Sequence, residues 1–343
     1  MSPRKIIYPV FLPHAGCPFQ CIYCNQRTVV SCDPGTTGIL DKVEADLTAY
    51  AERIGGTGIP GEIAFFGGTF SALEPALIES ILAAASVHVE RGIFTGIRFS
   101  TRPDCLGIEV MDLLSRFPVR TVELGVQSLS NHVLQRSLRG YCATSVHDSA
   151  KRVRNAGWDL GIQLMAGLPG DTQGTFLESV RKAIEIGPDF LRIYPTLVLE
   201  GTALADSYRK MSYTPLSLDE AVTWVAPAYA AALGAGIPVI RMGLHADPLL
   251  EKSGVVLAGP YHPAFGHMVK SRCWRDRMDE EFALFAPIGG AEVILRVPPN
   301  RVSEAIGHGR SNLRYWKSRW GINVKVSKDT NLAGADALVE RIA

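Results

Sequence analysis

The sequence predicts an α/β fold built on parallel strands, followed by a small α+β domain at the carboxyl end. Three observations carry this. Short apolar, β-branched runs alternate with stretches of helical periodicity from residue 5 to about residue 235, the pattern of parallel βα units. Polar and glycine-rich signatures fall just after those runs, at the strand ends where such folds place ligands. Beyond residue 289 the pattern changes to one strand, two short helices and a strand.

The 343 residues are 47% hydrophobic and 20% charged, with a formal net charge of +1. A chain of this length buries a large core and fits one domain of about 250 residues plus an appendage. Near-neutral charge argues against a protein that coats nucleic acid by bulk electrostatics, but leaves room for a local basic patch. No run of about 18 or more apolar residues is present, so no membrane partner is expected. No signal peptide is read at the start, and a cytoplasmic location is the expectation.

The first strand, Lys5 to Leu12, runs into Gly16-Cys17-Pro18-Phe19-Gln20-Cys21-Ile22-Tyr23-Cys24-Asn25-Gln26. Three thiolates on one short loop can hold three corners of a cubane of iron and sulfide, and soft sulfur selects such clusters over magnesium or calcium. The fourth iron is then open to a substrate or cofactor. Zinc is the competing reading; it needs a fourth ligand, for which Cys32 and His14 are the candidates. A disulfide is disfavoured by the odd count of seven cysteines and by a chain long enough to fold without bridges.

A helical stretch from Asp41 to Arg53 follows, with Val43, Leu47 and Tyr50 on one face. The second strand, Glu62 to Phe66, ends in Gly67-Gly68-Thr69-Phe70. Glycines there let backbone approach a ligand, or serve only a strand-to-helix turn. The third strand and its exit, Ile97 to Asp104, carry Arg102 and Asp104, a candidate structural ion pair. Val122 to Ser128, Ile162 to Gly170 and Phe190 to Thr196 are the next three strands, and Ile237 to Leu244 is a further one. Gly259 to Gly266 then opens a helix carrying Lys270, Arg272, Arg275 and Arg277. Tyr261 and His262 in that opening line a substrate mouth or form a plain turn.

The spacing Cys-x3-Cys-x2-Cys resembles the signature of the radical S-adenosylmethionine superfamily. The wording "STRPD", "ELGVQS", "LRG", "GLPGDT" and "RIYPTLVLEGTAL" resembles the catalytic subunit of Elongator and its bacterial relatives. It is similar, less closely, to oxygen-independent coproporphyrinogen oxidase. The resemblance runs from about residue 5 to about residue 245 and implies a partial (β/α)6 TIM-like barrel.

It also implies a [4Fe-4S] cluster on Cys17, Cys21 and Cys24, with S-adenosyl-L-methionine at the open iron. Tyr23 is then expected against the adenine, and Gly67, Gly68 and Thr69 at the methionine amino group, with Thr69 replacing the usual Glu. Gln127 and Arg139 are implied as contacts to ribose and carboxylate. Gln163 stands where relatives place an acidic ribose ligand, and Ser100 where many have Glu. Ordinary polar capping of barrel strands is the competing reading for Gln127, Arg139 and Gln163.

The tail, with strand Glu292 to Pro298, helices Val302 to Ile306 and Ser311 to Trp320, and strand Ile322 to Val326, resembles a KH RNA-binding module. Its loop is Gly307-His308-Gly309-Arg310, with the second glycine one place early. Arg301, Arg310, Arg314, Lys317 and Arg319 suit phosphate contact. A small cap with a solvated basic face is the equal alternative, and Trp316 and Trp320 read as core.

The division expected is 1–245 for the barrel core, 246–288 for a helical extension and 289–343 for the tail. About 100 residues follow the barrel, too few for the acetyltransferase domain of Elongator, so acetyl transfer is not expected. The expected chemistry is reductive cleavage of S-adenosylmethionine to methionine and a 5′-deoxyadenosyl radical that takes a hydrogen from the substrate. Expected partners are an electron donor such as flavodoxin or ferredoxin and an RNA, in particular transfer RNA, whose nucleoside is the substrate. The alternatives are a small-molecule or tetrapyrrole substrate, or a non-catalytic iron-sulfur or zinc RNA-binding protein.

Overall fold

A computed structural model describes residues 6–12, 16–25, 36–57, 59–244, 250–251, 254–285, 292–334 and 337–342. The chain begins with β1 (Ile7–Phe11), α1 (Thr36–Thr57), β2 (Glu62–Phe66), α2 (Pro75–Glu90) and β3 (Gly96–Thr101). It continues through α3 (Ile108–Leu114), β4 (Val119–Gln127), α4 (Asn131–Arg136), α5 (Thr144–Asn155), β5 (Asp159–Ala166), α6 (Gln173–Ile186) and β6 (Phe190–Pro195). Then come β7 (Val198–Leu199), α7 (Ala203–Arg209), α8 (Leu218–Gly234), β8 (Val239–Met242), β9 (Val256–Ala258) and α9 (Phe265–Phe285).

Seven of these strands form one parallel sheet in the order β1-β2-β3-β4-β5-β6-β8. β1 and β8 each pair on one side only, so the sheet curls as an open half-barrel. The six expected strands are present, and the strand expected at Ile237 to Leu244 joins them as a seventh. Val10, Ile63, Phe99, Leu124, Ile162 and Ile193 are wholly buried, as a parallel sheet covered by helices requires.

Local chemistry fixes the helix ends. Thr172 and Thr175 close a capping box at the start of α6, and Ser217 and Glu220 do so for α8. Gly187, in the left-handed conformation, stops α6. Val43 and Leu47 bury one face of α1, and Tyr50 on that helix donates a hydrogen bond to the Pro9 carbonyl at 2.8 Å. No helix among the described residues is long and apolar enough to cross a membrane.

The remaining elements are β10 (Glu292–Val297), α10 (Val302–Ile306), α11 (Ser311–Trp320), β11 (Asn323–Lys328) and β12 (Leu338–Ile342). β10 lies between β11, parallel to it, and β12, antiparallel to it. The third strand, β12, was not anticipated from sequence. This sheet has its own core of Val293, Leu295, Val297, Trp316 and Ile322. Helix α9 gives Phe265 and Val269 to the barrel core and Trp274, Met278 and Phe282 to this second one.

Asn312, buried at the start of α11, ties the two helices of the tail to α9. Its amide donates to the carbonyls of Ser271 at 2.8 Å, Ala305 at 3.0 Å and Glu304 at 3.3 Å. Asn312→Ala leaves these buried acceptors without their donor and is expected to cost about 1–3 kcal/mol. A lowered urea midpoint in the full chain is the check; an unchanged midpoint would show the contacts to be dispensable.

Candidate active site

The carboxyl ends of the strands open onto a cavity of about 500 Å³. Its wall contains the barrel residues expected around the cofactors: Cys17, Cys21, Tyr23, Cys24, Gly67, Gly68, Thr69, Ser100, Gln127, Arg139 and Gln163. The cysteines and Tyr23 lie on the loop after β1, Gly67 to Thr69 follow β2, Ser100, Gln127 and Gln163 lie on β3, β4 and β5, and Arg139 follows α4, so the topology brings them together.

The cysteine loop is seated by close backbone contacts. Gly16 has φ +80°, and a Cβ there would lie 2.7 Å from the Thr69 carbonyl oxygen. Gly67 has φ +96°, and its Cβ would lie 2.3 Å from the Leu12 carbonyl oxygen. Packing against the end of β1 is by itself enough to require glycine at 67, which also lines the cavity. The buried Thr69 hydroxyl lies 3.1 Å from the Cys17 sulfur. Burial pushes the Cys17 thiol up, while that hydroxyl draws it down.

Arg139 is the centre of the polar contacts. Its Nη1 donates to the Cys21 sulfur at 3.1 Å and to the Tyr23 hydroxyl at 3.2 Å, and its Nη2 donates to the Gly125 carbonyl. The Tyr141 hydroxyl also accepts from Arg139, at 3.1 Å, and donates to the Val126 carbonyl at 2.8 Å. Burial opposes the charge on Arg139, but the phenols of Tyr23 and Tyr141 and the Cys21 thiol hold its pKa well above the ordinary value. Burial likewise pushes the Tyr23 phenol well up, so it stays a neutral hydroxyl. Arg102 and Asp104 form the anticipated ion pair at 2.8 Å. Arg102 Nη1 also lies 3.9 Å from the Cys21 sulfur.

Gln127 reaches the cavity through a local irregularity. The β4–β5 register slips between Gly125 and Gln127, and Gln127 adopts φ 67°. Such a bulge re-aims a side chain, and a non-glycine residue with positive φ marks a conformation held by its surroundings. The Gln127 Oε1 atom is buried with no hydrogen-bond partner.

Beneath the cavity lies a buried ionic network that sequence reasoning missed. Arg98 bridges Glu62 at 2.6 Å and Glu123 at 2.8 Å, and Glu123 also binds Arg192 at 2.8 Å. Gln163 Nε2 donates to Glu123 at 2.9 Å and to the Ser100 hydroxyl at 3.1 Å. Gln163 and Ser100 thus face the cavity from the top of this network. Arg102, Arg192, Tyr194 and Arg241 complete the polar lining. The signal for the missed residues was a charge inside an otherwise apolar strand, as at Arg98, Glu123 and Arg192.

Among the described residues no three His, Cys, Asp or Glu side chains make a site for a single metal ion. His14 and Cys32, the zinc candidates, lie outside the described residues. Tyr261 and His262 do not line the cavity; His262 Nδ1 accepts from the Ala264 amide at 3.0 Å, as a plain turn does.

The loop Gly307-His308-Gly309-Arg310 lies apart from the cavity. His308 packs edge-on against His262, with ring centroids 5.0 Å apart, while Gly309 and Arg310 are exposed. Arg310 takes φ 63°, and Arg310, Arg314, Lys317 and Arg319 all reach solvent.

The family description "Radical SAM superfamily" matches residues 11–183, half of the chain, and "Radical_SAM C-terminal domain" matches residues 188–275. The tRNA uridine(34) acetyltransferase of Dehalococcoides mccartyi is 28% identical over 230 residues, which are 58% of this chain and 50% of that protein. The chain therefore spans about half the length of that curated relative. Among solved structures, the Methanocaldococcus infernus Elp3 superposes with TM-score 0.59 at 20% identity over 80% of this chain and 62% of that one. Coproporphyrinogen III oxidase from Escherichia coli superposes with TM-score 0.51 at 19% identity, covering 68% and 54%. These two likenesses establish the half-barrel fold. With a three-cysteine loop at the mouth of that half-barrel and the family match running through it, the chain belongs to the radical SAM superfamily of enzymes.

Proposed function

We propose that this protein holds a [4Fe-4S] cluster on Cys17, Cys21 and Cys24, binds S-adenosylmethionine beside it, and modifies a nucleoside in transfer RNA. The observation that carries the reading is the meeting of three thiols, the Gly67-Gly68-Thr69 turn, Gln127 and Arg139 on one cavity wall. The residues fit the cofactors. Three sulfurs suit a cluster with one open iron, and the orphaned Gln127 Oε1 is an acceptor awaiting a donor such as a ribose hydroxyl. When bound and reduced, the cluster supplies the electron that cleaves the sulfonium homolytically.

The chain's own residues do the rest. Arg139 places a fixed positive charge and a hydrogen-bond donor against the Cys21 sulfur. Tyr23, held through its hydroxyl by Arg139, presents a ring to the cavity for a nucleobase face. Thr69 keeps Cys17 in place through its hydroxyl. Phe11 and Phe66, with ring centroids 6.2 Å apart, give the cavity an apolar stretch of wall.

The transfer RNA part is supported by the tRNA-modifying relative and by the exposed basic face of α11. In an anaerobic, reconstituted preparation, unmodified transfer RNA is expected to raise the rate of 5′-deoxyadenosine formation, and RNase-treated transfer RNA is not. Equal rates with and without RNA would remove RNA as the substrate and favour the small-molecule alternative.

A further inference from the structure

Among the described residues the cavity wall holds four arginines, Arg102, Arg139, Arg192 and Arg241, and no Asp or Glu. Two have their charge answered by a carboxylate: Arg102 pairs with Asp104, and Arg192 with the buried Glu123. Arg139 has no carboxylate but is held by hydrogen bonds to the Cys21 sulfur, two phenols and the Gly125 carbonyl. Arg241 has neither arrangement. Its Nε donates to the Gly243 carbonyl at 3.3 Å, and no carboxylate among the described residues forms an ion pair with it.

Position makes this costly. Arg241 is the register partner of Arg192 on the neighbouring strand, so two guanidinium groups lie side by side across β6 and β8. Like charges facing across paired strands destabilise a sheet. Half-burial, together with the Arg192 charge, draws the Arg241 pKa down from its ordinary value, against the pull of the Tyr194 phenol. Arg241 stands on β8, at the opposite edge of the sheet from β1, whose following loop carries the cysteines.

We infer that Arg241, with Arg192 and Tyr194 beside it, is an oxyanion subsite of this cavity that holds a phosphate of the RNA substrate. The guanidinium fork donates to two oxygens of a phosphate at once, the geometry for which arginine is suited. The identity of the anion rests on the RNA reading proposed above; the need for an anion rests only on the uncompensated charge.

The full chain, reconstituted without oxygen, is titrated with inorganic phosphate at constant ionic strength, beside Arg241→Gln and Arg241→Lys. Phosphate is expected to bind about tenfold more weakly to Arg241→Gln, with Arg241→Lys in between. The same three proteins are then bound to unmodified transfer RNA at several salt concentrations. Losing one phosphate contact should lower the slope of log affinity against log salt by about 0.7–0.9. Equal phosphate binding by native protein and Arg241→Gln overturns the subsite. Weakened phosphate binding with an unchanged transfer RNA slope keeps the oxyanion subsite and sinks the RNA reading. If Arg241→Gln melts early, Arg241→Lys carries the test, since it keeps the charge and loses the fork.

Discussion

Cys21→Ala is expected to lower bound iron from about four atoms per chain to less than one, and to end 5′-deoxyadenosine formation. Cys21 is the buried member of the three and takes the Arg139 hydrogen bond. Arg139 keeps Tyr23, Tyr141 and Gly125 as partners in the variant, so the wall of the cavity should survive. The loss then belongs to the ligand and not to the fold, and the melting temperature of the metal-free protein should barely move. Iron retained in full by Cys21→Ala would move the cluster away from this loop. Zinc in place of iron in the native protein would support the zinc-structured alternative.

Glu123→Ala is expected to destabilise the protein by about 3–5 kcal/mol, because it leaves the largely buried Arg192 cation unanswered. Glu123 is wholly buried and binds both Arg98 and Arg192; Arg98 retains Glu62, whereas Arg192 loses its carboxylate. Removing the stranded charge as well should recover much of the loss. The double variant Glu123→Ala, Arg192→Met is therefore expected to be less destabilised than the sum of the two single changes, a coupling read from urea midpoints. Strict additivity would show that the two side chains do not act as a pair.

Much of the barrel and most of its candidate site were legible because both rest on local patterns. The runs Glu62 to Phe66 and Phe190 to Thr196 read as strands from their apolar, aromatic and β-branched residues, and they are β2 and β6. The cysteine spacing and the glycine turns are contiguous motifs. What stayed hidden depends on residues far apart in sequence. Arg98 and Glu123 are 25 positions apart and Arg192 and Glu123 are 69 apart, and only the parallel register of β3 to β6 brings them into one network. Tyr141 gave no sign of its role because its partner Gly125 lies across a bulge in β4.

The role of Gly67 shows a different limit. Its position beside the cavity was readable, but its close contact with Leu12, at the end of a strand more than fifty residues earlier, was not. The tail was half legible. Its two helices and two strands stand where periodicity put them, while β12 and the packing of His308 onto His262 needed the fold.

The central claim is that S-adenosylmethionine meets a cluster held by Cys17, Cys21 and Cys24. The most direct test is the electron spin resonance spectrum of the anaerobically reconstituted, reduced protein, recorded with and without S-adenosylmethionine. A [4Fe-4S] signal that shifts when S-adenosylmethionine is added is the result expected, since the cofactor then takes the open iron. A signal indifferent to S-adenosylmethionine, or the absence of any cluster signal from protein shown to be folded, would contradict it.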